Sequence, residues 1–448
     1  MSNVLMLGIG PLPAQECKRL YAPGLRTWSF AWNIACAGHR VTCATTDFGG
    51  IEEEAPLPEP MDAAGPHHTG TLAFERLHFD VTQNIKALRK LHDRLGFHCA
   101  VSTTDLMNRS LAQAHLPIPV WLDFNGPPMI ERQMQAAVYD SDDAVQKAWN
   151  EMLPSLMFGD RFSSCSLAQK QLMVGELGAA GRLNRRTAYL DIVQDIPPVN
   201  IERDFTPSSK KVIRGRLCGE RDFVLLWTGG YNTWTDVDTL LGGLELAMRK
   251  HPHFHYVSTG GKIEGHDELT FQRFMERIDH FEFRDRCHFV GWVQNSEIPD
   301  YYAESDAAIN LDAPSYEAMF GYRNRVQEWA LAGLPVISTA LSEITRKMEE
   351  EGLLTEIEPR DPESLANAIT RHIVDPGGAQ ARALTAKAWI EEELAPERLL
   401  TPLLEWCGKP EPTPDLPPPH ERPKARWAGP DNNLAMSYVK HFKKYKLL

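Results

Sequence analysis

Between Pro314 and Pro335 the chain gathers two carboxylates and two guanidinium groups in one short stretch: Glu317, Arg323, Arg325 and Glu328. A carboxylate near the start of a rigid helix can accept both hydrogen bonds of a cis-diol. Guanidinium forks beside free helix N–H groups stabilise a polyanion such as a diphosphate. Glu328 is thus a candidate for gripping vicinal hydroxyls, and Arg323 and Arg325, which bracket Asn324, for an anion clamp. Plainer roles stay open beside these. Glu328 could merely complement the dipole of its own helix, and either arginine could form a surface ion pair.

Other residues carry weaker signals. Thr228-Gly229-Gly230 follows an apolar run, and glycine lets backbone amides approach a phosphate that a side chain would hold off. Ordinary strand-to-helix turns use glycine too. Gly24-Leu25-Arg26-Thr27 opens a helix, where Gly24 and Arg26 could face a diphosphate or a second substrate. Asp123 ends an apolar run before Asn125-Gly126, a position that suits either a polar site or a turn. Two constellations look like metal sites and are read otherwise. Asp236-Val237-Asp238 introduces a helix, where Asp is a favoured cap. His251, His253 and His255 lie on one strand face without a carboxylate to complete a site. No metal is expected.

The elements that must position these residues alternate along the chain. Val4–Ile9 reads as a strand, Leu25–Ala37 as a helix closed by Gly38, and Arg40–Thr45 as a second strand. The series continues with a strand over Phe97–Ser102, a helix over Leu106–His115 and a strand over Pro119–Phe124. Asp47–Thr71, rich in Pro, Gly and Glu, reads as a long loop. Ile196–Ser209 breaks the alternation as an interdomain connection would.

A second series follows: strands over Phe223–Trp227, Phe254–Ser258, Cys287–Val290, Ala307–Leu311 and Pro335–Ser338, with helices over Asp238–Arg249, Ile298–Ala303, Arg325–Ala332 and Ile344–Glu350. Strands alternating with helices at this spacing predict parallel sheets covered on both faces. The expected fold is α/β, two tandem Rossmann-like domains facing across a cleft. The boundaries are 1–200 and 201–385, then a helical stretch at 386–407 that crosses back to the first domain, and a proline-rich linker with a basic tail at 408–448.

A length of 448 residues, with 43% hydrophobic and 24% charged residues, fits two globular domains and excludes global disorder. The formal charge of −13 opposes nucleic acid, whose binding draws on clustered Lys and Arg. It leaves a small anionic ligand open, since a few cations can make a local positive pocket. Eight cysteines without a Cys-x-x-Cys pair read as reduced core residues. With neither a signal peptide nor a run of eighteen apolar residues, the expected location is cytoplasmic. The tail from Tyr438 to Leu448, with Lys440, Lys443, Lys444 and Lys446, is either a foothold on anionic lipid or a solvated strap.

The stretch Ser305–Thr339, SDAAINLDAPSYEAMFGYRNRVQEWALAGLPVIST, resembles the donor-binding core of the large retaining glycosyltransferase family four, also called group 1, which has the GT-B fold. Glu328 to Ile337 matches the second half of that core. The family carries two glutamates separated by seven residues, the second on the ribose and the first on the transferred sugar. Glu328 takes the second place. Phe320 stands where the first is due, and Glu317, in the context Pro314-Ser315-Tyr316-Glu317, is expected to serve through a loop about three residues longer. By the same resemblance Gly229, Gly230, Ser315, Arg323 and Arg325 are donor-binding, Trp292 and Val293 lie at the base, and Asp123 is a catalytic or acceptor-side residue.

The implied activity is transfer of a sugar from a nucleotide diphosphate donor, a UDP-sugar before others, to a hydroxyl of a glycan, lipid-linked or protein acceptor. The anomeric configuration would be retained, within bacterial-type surface glycan or glycoconjugate synthesis. No cofactor beyond the donor is implied. Two other readings remain open, a nucleotide-sugar 2-epimerase of the same architecture and a non-catalytic nucleotide-sugar-binding protein.

Overall fold

Apolar runs such as Val4–Ile9 and Phe223–Trp227, buried on both faces, form the central strands of two sheets in a computed structural model that describes residues 1–46, 56–199 and 205–422. Such runs suit parallel strands sandwiched between helices. The first lobe contains β1 (Asn3–Ile9), β2 (Arg40–Thr46), β3 (Met61–Ala64), β4 (Thr69–Arg76), β5 (Cys99–Thr103), β6 (Val120–Phe124), β7 (Arg161–Ser164) and β8 (Val193–Asp195). Their spatial order is β3-β4-β2-β1-β5-β6-β7-β8, parallel throughout except for the antiparallel pair β3 and β4. The second lobe contains β9 (Phe223–Thr228), β10 (Phe254–Thr259), β11 (Cys287–Gly291), β12 (Ala307–Asn310), β13 (Val336–Ser338) and β14 (Thr355–Glu356). Its order is β11-β10-β9-β12-β13-β14, all parallel.

In each sheet the connections reverse direction at one point, between β1 and β5 in the first and between β9 and β12 in the second. The strand ends beside such a reversal form a crevice that takes ligands in open α/β sheets. Two apolar clusters cover the two faces of each sheet.

Two segments depart from the sequence reading. Residues 56–71, expected as part of a long loop, instead contribute β3 and the start of β4 to the edge of the first sheet. Alternation in Met61–Ala64 is too short to register as a strand without its partner. The rest of that expected loop, residues 47–55, and the basic tail lie outside the described residues. The helical stretch expected at 386–407 divides among Pro376–Glu393, Pro396–Leu399 and Thr401–Gly408, since Pro396 lacks the N–H that would continue the first helix.

The last of these helices sets Leu400, Leu403, Trp406 and Cys407 into the first-lobe core, Trp406 standing edge-on to Trp121 at 5.6 Å. Residues 411–422 then run along the first lobe. They are pinned by Arg182 to Asp415 at 2.6 Å and by Arg422 Nη1 to Asp160 Oδ2 at 3.1 Å. Among the described residues no helix is long and apolar enough to cross a membrane.

Candidate active site

The second-lobe crevice is built around the end of β9. Trp227 stacks on Tyr231 at 4.6 Å, and the Tyr231 hydroxyl lies 2.7 Å from that of Tyr256 and 2.8 Å from Ser258 Oγ. This buried network stiffens the turn Gly229-Gly230, where Gly229 takes φ 85°, a value that favours glycine. Two amides of the turn are already engaged, Gly229 N–H with the Thr259 carbonyl and Tyr231 N–H with that of Gly261. The helix Asn324–Leu331 aims its N-terminus at this turn, held there by Trp329 Nε1 donating to Thr228 Oγ1 at 3.0 Å.

Arg325, one residue into that helix, is half-buried. It lies over the Trp227 ring at 4.4 Å and donates from Nη2 to the Gly230 carbonyl at 2.7 Å. Burial pushes its pKa down to about 10, so it stays cationic at neutral pH. It has no carboxylate partner among the described residues, and its Nη1 has no hydrogen bond, like Asn324 Oδ1 and Tyr322 Oη close by. Buried polar atoms are nearly always satisfied, so the open Nη1 of Arg325 at the glycine turn is a donor that a polar ligand can take up.

Arg323, two residues earlier, has a different environment. Its Nε donates to Asp312 Oδ2 at 2.8 Å, and Nη2 and Nη1 donate to the two oxygens of Glu317 at 2.7 and 3.1 Å. All three side chains are buried. Burial alone would lower the Arg323 pKa, but Asp312 and Glu317 outweigh it and hold the guanidinium above its ordinary value. Burial pushes the Glu317 carboxyl up despite Arg323. Gly321 makes room for the triad, because a Cβ there would collide with Glu317 Oε1 and Arg323 Nη1. The structure therefore brings Glu317 and Arg323 onto each other rather than into open space. Ser315 caps the short helix Tyr316–Phe320, its Oγ accepting from Ala318 N–H at 3.1 Å.

Glu328 lines a small cavity of about 40 Å³ between the lobes and accepts from the Tyr302 hydroxyl at 3.3 Å. Leu25, Arg26 and Asn125 face it from the first lobe. That space holds a few waters and no nucleotide, so a donor reaching Glu328 requires the lobes to part. Gly24 packs where a Cβ would strike the Pro11 carbonyl, which lets the first helix, Ala22–Cys36, sit against the end of β1.

Arg26 and Asp123, expected separately on the anion and acceptor sides, form one buried bidentate pair. Nη2 to Oδ1 is 2.7 Å and Nε to Oδ2 is 3.0 Å, with Arg26 Nη1 also donating to the Pro197 carbonyl at 3.1 Å. Ser163 Oγ donates to Asp123 Oδ1 at 2.6 Å. These charges brace the floor of the cleft where the interdomain connection starts.

The lobes touch at several further points. Arg19 meets Glu264 at 2.8 Å, Gln135 donates to the His266 carbonyl at 3.1 Å, and Gln169 donates to that of Phe320 at 2.7 Å. Trp292 reaches across to Tyr21 at 5.7 Å and lies under Arg19 at 5.4 Å, while its neighbour Val293 packs against the second-lobe core. Asp236 accepts from Thr239 N–H at 3.0 Å as a helix cap, and Asp238 pairs with Arg277. His251 turns to Thr370, whereas His253 and His255 turn to Asp222. No group of three or more metal-ligating side chains converges among the described residues.

Two acidic residues beside the crevice escaped the sequence reading. Asp312 lies two residues past the end of β12 and two before Pro314, and could have been found as a polar residue closing an apolar run. Glu131, in the first turn of the helix Pro128–Tyr139, looks in sequence like any acid complementing a helix dipole.

Comparison with known proteins locates this arrangement. A family model described as Glycosyl transferases group 1 matches residues 222–375, the second lobe. No curated protein matches the chain. Among solved structures, sucrose-phosphate synthase from Thermosynechococcus elongatus superposes with a TM-score of 0.66 at 15% identity, over 90% of this chain and 98% of that one. Anabaena HepE in complex with UDP-glucose gives 0.61 at 15%, over 91% and 100%. A UDP-N-acetylglucosamine 2-epimerase gives 0.53 at 11%, over 92% and 98%. At such identities these likenesses establish the fold, while the family model identifies the lobe that carries Gly229, Arg325 and Glu328. The chain thus has the two-lobed GT-B fold of these solved structures, and its second lobe, residues 222–375, matches the glycosyl transferases group 1 domain.

Proposed function

We propose that this enzyme transfers a sugar from a UDP-sugar to a hydroxyl of a glycan or glycoconjugate acceptor, with retention of the anomeric configuration. The observation that carries the reading is Arg325, a cation with no carboxylate partner among the described residues, at the glycine turn where the strand order reverses. As the glycosidic bond breaks, two or more negative charges gather on the departing diphosphate, and a guanidinium already fixed on Trp227 and Gly230 stabilises them without reorganising. Glu328 then takes the ribose hydroxyls, and Trp292 and Val293 the base side. Arg323 does not meet the phosphate in this scheme. It holds Asp312 and the Glu317 carboxylate that shapes the sugar end of the crevice. Asp123, locked to Arg26, supports the acceptor side.

In a retaining reaction the departing diphosphate can accept the proton of the attacking hydroxyl, so no separate base is required. UDP is favoured because Anabaena HepE is described with UDP-glucose. The reading carries a cytoplasmic place of action, where nucleotide sugars are made.

A thermal-shift panel of nucleoside diphosphates tests it, since a ligand that binds only the native state raises stability with its concentration. UDP is expected to give the largest shift, and Glu328→Ala to abolish that preference. An unchanged shift in Glu328→Ala would remove the residue from the ribose. Isomerisation of a UDP-sugar without any acceptor would point to epimerase chemistry instead.

A further inference from the structure

Glu131 is a carboxylate that the scheme above leaves unused. It stands in the first turn of the helix Pro128–Tyr139, which follows β6 and packs against the second-lobe helix Tyr316–Phe320. Its Oε1 occupies the space that a side chain on Gly126 would fill. Gly126 adjoins Asn125, which lines the same interlobe cavity as Glu328. Glu131 is half-buried, and its carboxylate makes no hydrogen bond or ion pair among the described residues.

The charged groups that act on it are Glu317 and Asp105, which raise its pKa, and Arg132 and Arg323, which lower it. Arg323 is engaged with Asp312 and Glu317, and Arg132 approaches Asp105 at 4.0 Å. On the same helix Gln135 contacts His266, whose imidazole burial keeps neutral. Burial, followed by Glu317 and Asp105, pushes the Glu131 carboxyl up to about 7. A desolvated acid kept without a donor, opposite the sugar end of the crevice, is suited to a neutral ligand rich in hydroxyls.

We infer that Glu131 is the first-lobe group that hydrogen-bonds a hydroxyl of the transferred sugar when a nucleotide sugar occupies the closed cleft. This rests on the donor site proposed above. The hydroxyl donates to the ionised carboxylate, so sugar binding favours ionisation, and the contact strengthens as pH rises through about 7. UDP alone does not reach Glu131 and binds independently of it.

The test is calorimetric titration of the full chain at pH 6 and pH 8 with UDP, UDP-glucose, UDP-galactose and UDP-N-acetylglucosamine. In the unmodified enzyme at least one UDP-hexose should bind about tenfold tighter than UDP at pH 8, with a smaller advantage at pH 6. Glu131→Ala should lose that advantage while keeping its affinity for UDP. Glu131→Gln should keep part of it and lose its pH dependence. Gly126→Ala, which retains the acid but displaces its carboxylate, should behave like Glu131→Ala. The inference is overturned if Glu131→Ala and Gly126→Ala keep the advantage, if Glu131→Ala weakens UDP equally, or if no UDP-hexose outbinds UDP in the unmodified enzyme. Failure of the unmodified enzyme to bind UDP would defeat the donor site itself, and this inference with it.

Discussion

Arg323 and Arg325 start the same helix two residues apart, yet their replacement by methionine should have different consequences. Arg323→Met leaves Asp312 and Glu317 buried without their cation. Breaking a buried pair from one side costs about 3–5 kcal/mol. At roughly 2–4 °C per kcal/mol for a domain of this size, the melting temperature should fall by about 6–20 °C.

For Arg325 the balance is different. A pKa lowered from 12.5 to about 10 means that keeping it charged costs the fold about 3 kcal/mol, less whatever solvent at its open edge recovers. Removal forfeits the bond to the Gly230 carbonyl and the stack on Trp227, together about 2–4 kcal/mol. These nearly cancel, so Arg325→Met should melt within a few degrees of the unmodified enzyme.

Ligand then separates the two arginines again. UDP at a hundred times its Kd stabilises the unmodified enzyme by about 2.7 kcal/mol, and Arg325→Met should lose most of that gain. Differential scanning fluorimetry with and without UDP reads both effects. If Arg325→Met melted as early as Arg323→Met, or kept the full UDP shift, the assignment of one arginine to the fold and the other to the diphosphate would be refuted.

Two further outcomes are expected. Arg26→Met should destabilise the first lobe by about 3–5 kcal/mol in urea unfolding, because Asp123 stays buried without its bidentate partner; a loss below about 1 kcal/mol would show that Asp123 does not depend on that pair. His372 is buried against Thr355 with its pKa lowered to about 4 by burial, below an unfolded value near 6.5, so its contribution is fully present above pH 6.5 and is lost as pH falls toward 4. His372→Gln should therefore flatten the decline in stability between pH 6.5 and 4, and an unchanged slope would exclude the imidazole as its source.

Much of the architecture was legible in the residues because the physics that forms it is local. Apolar runs such as Val4–Ile9 and Phe223–Trp227, each closed by glycine, can be satisfied only as buried strands. Their alternation with helices leaves a parallel sheet as the simplest packing. Gly333-Leu334-Pro335 likewise marks the end of one helix and the start of the next strand from its own composition.

What the residues could not disclose is who neutralises whom. Arg26 meets Asp123 across 97 positions, and Arg182 meets Asp415 across 233. The two neighbouring arginines of the crevice part company only because Asp312 and Glu317 fold back to one of them. Glu131 gains its place only when the two lobes close on each other. Secondary structure follows from periodicity along the chain, whereas the partner of a buried charge depends on distances in space that the whole fold must first create.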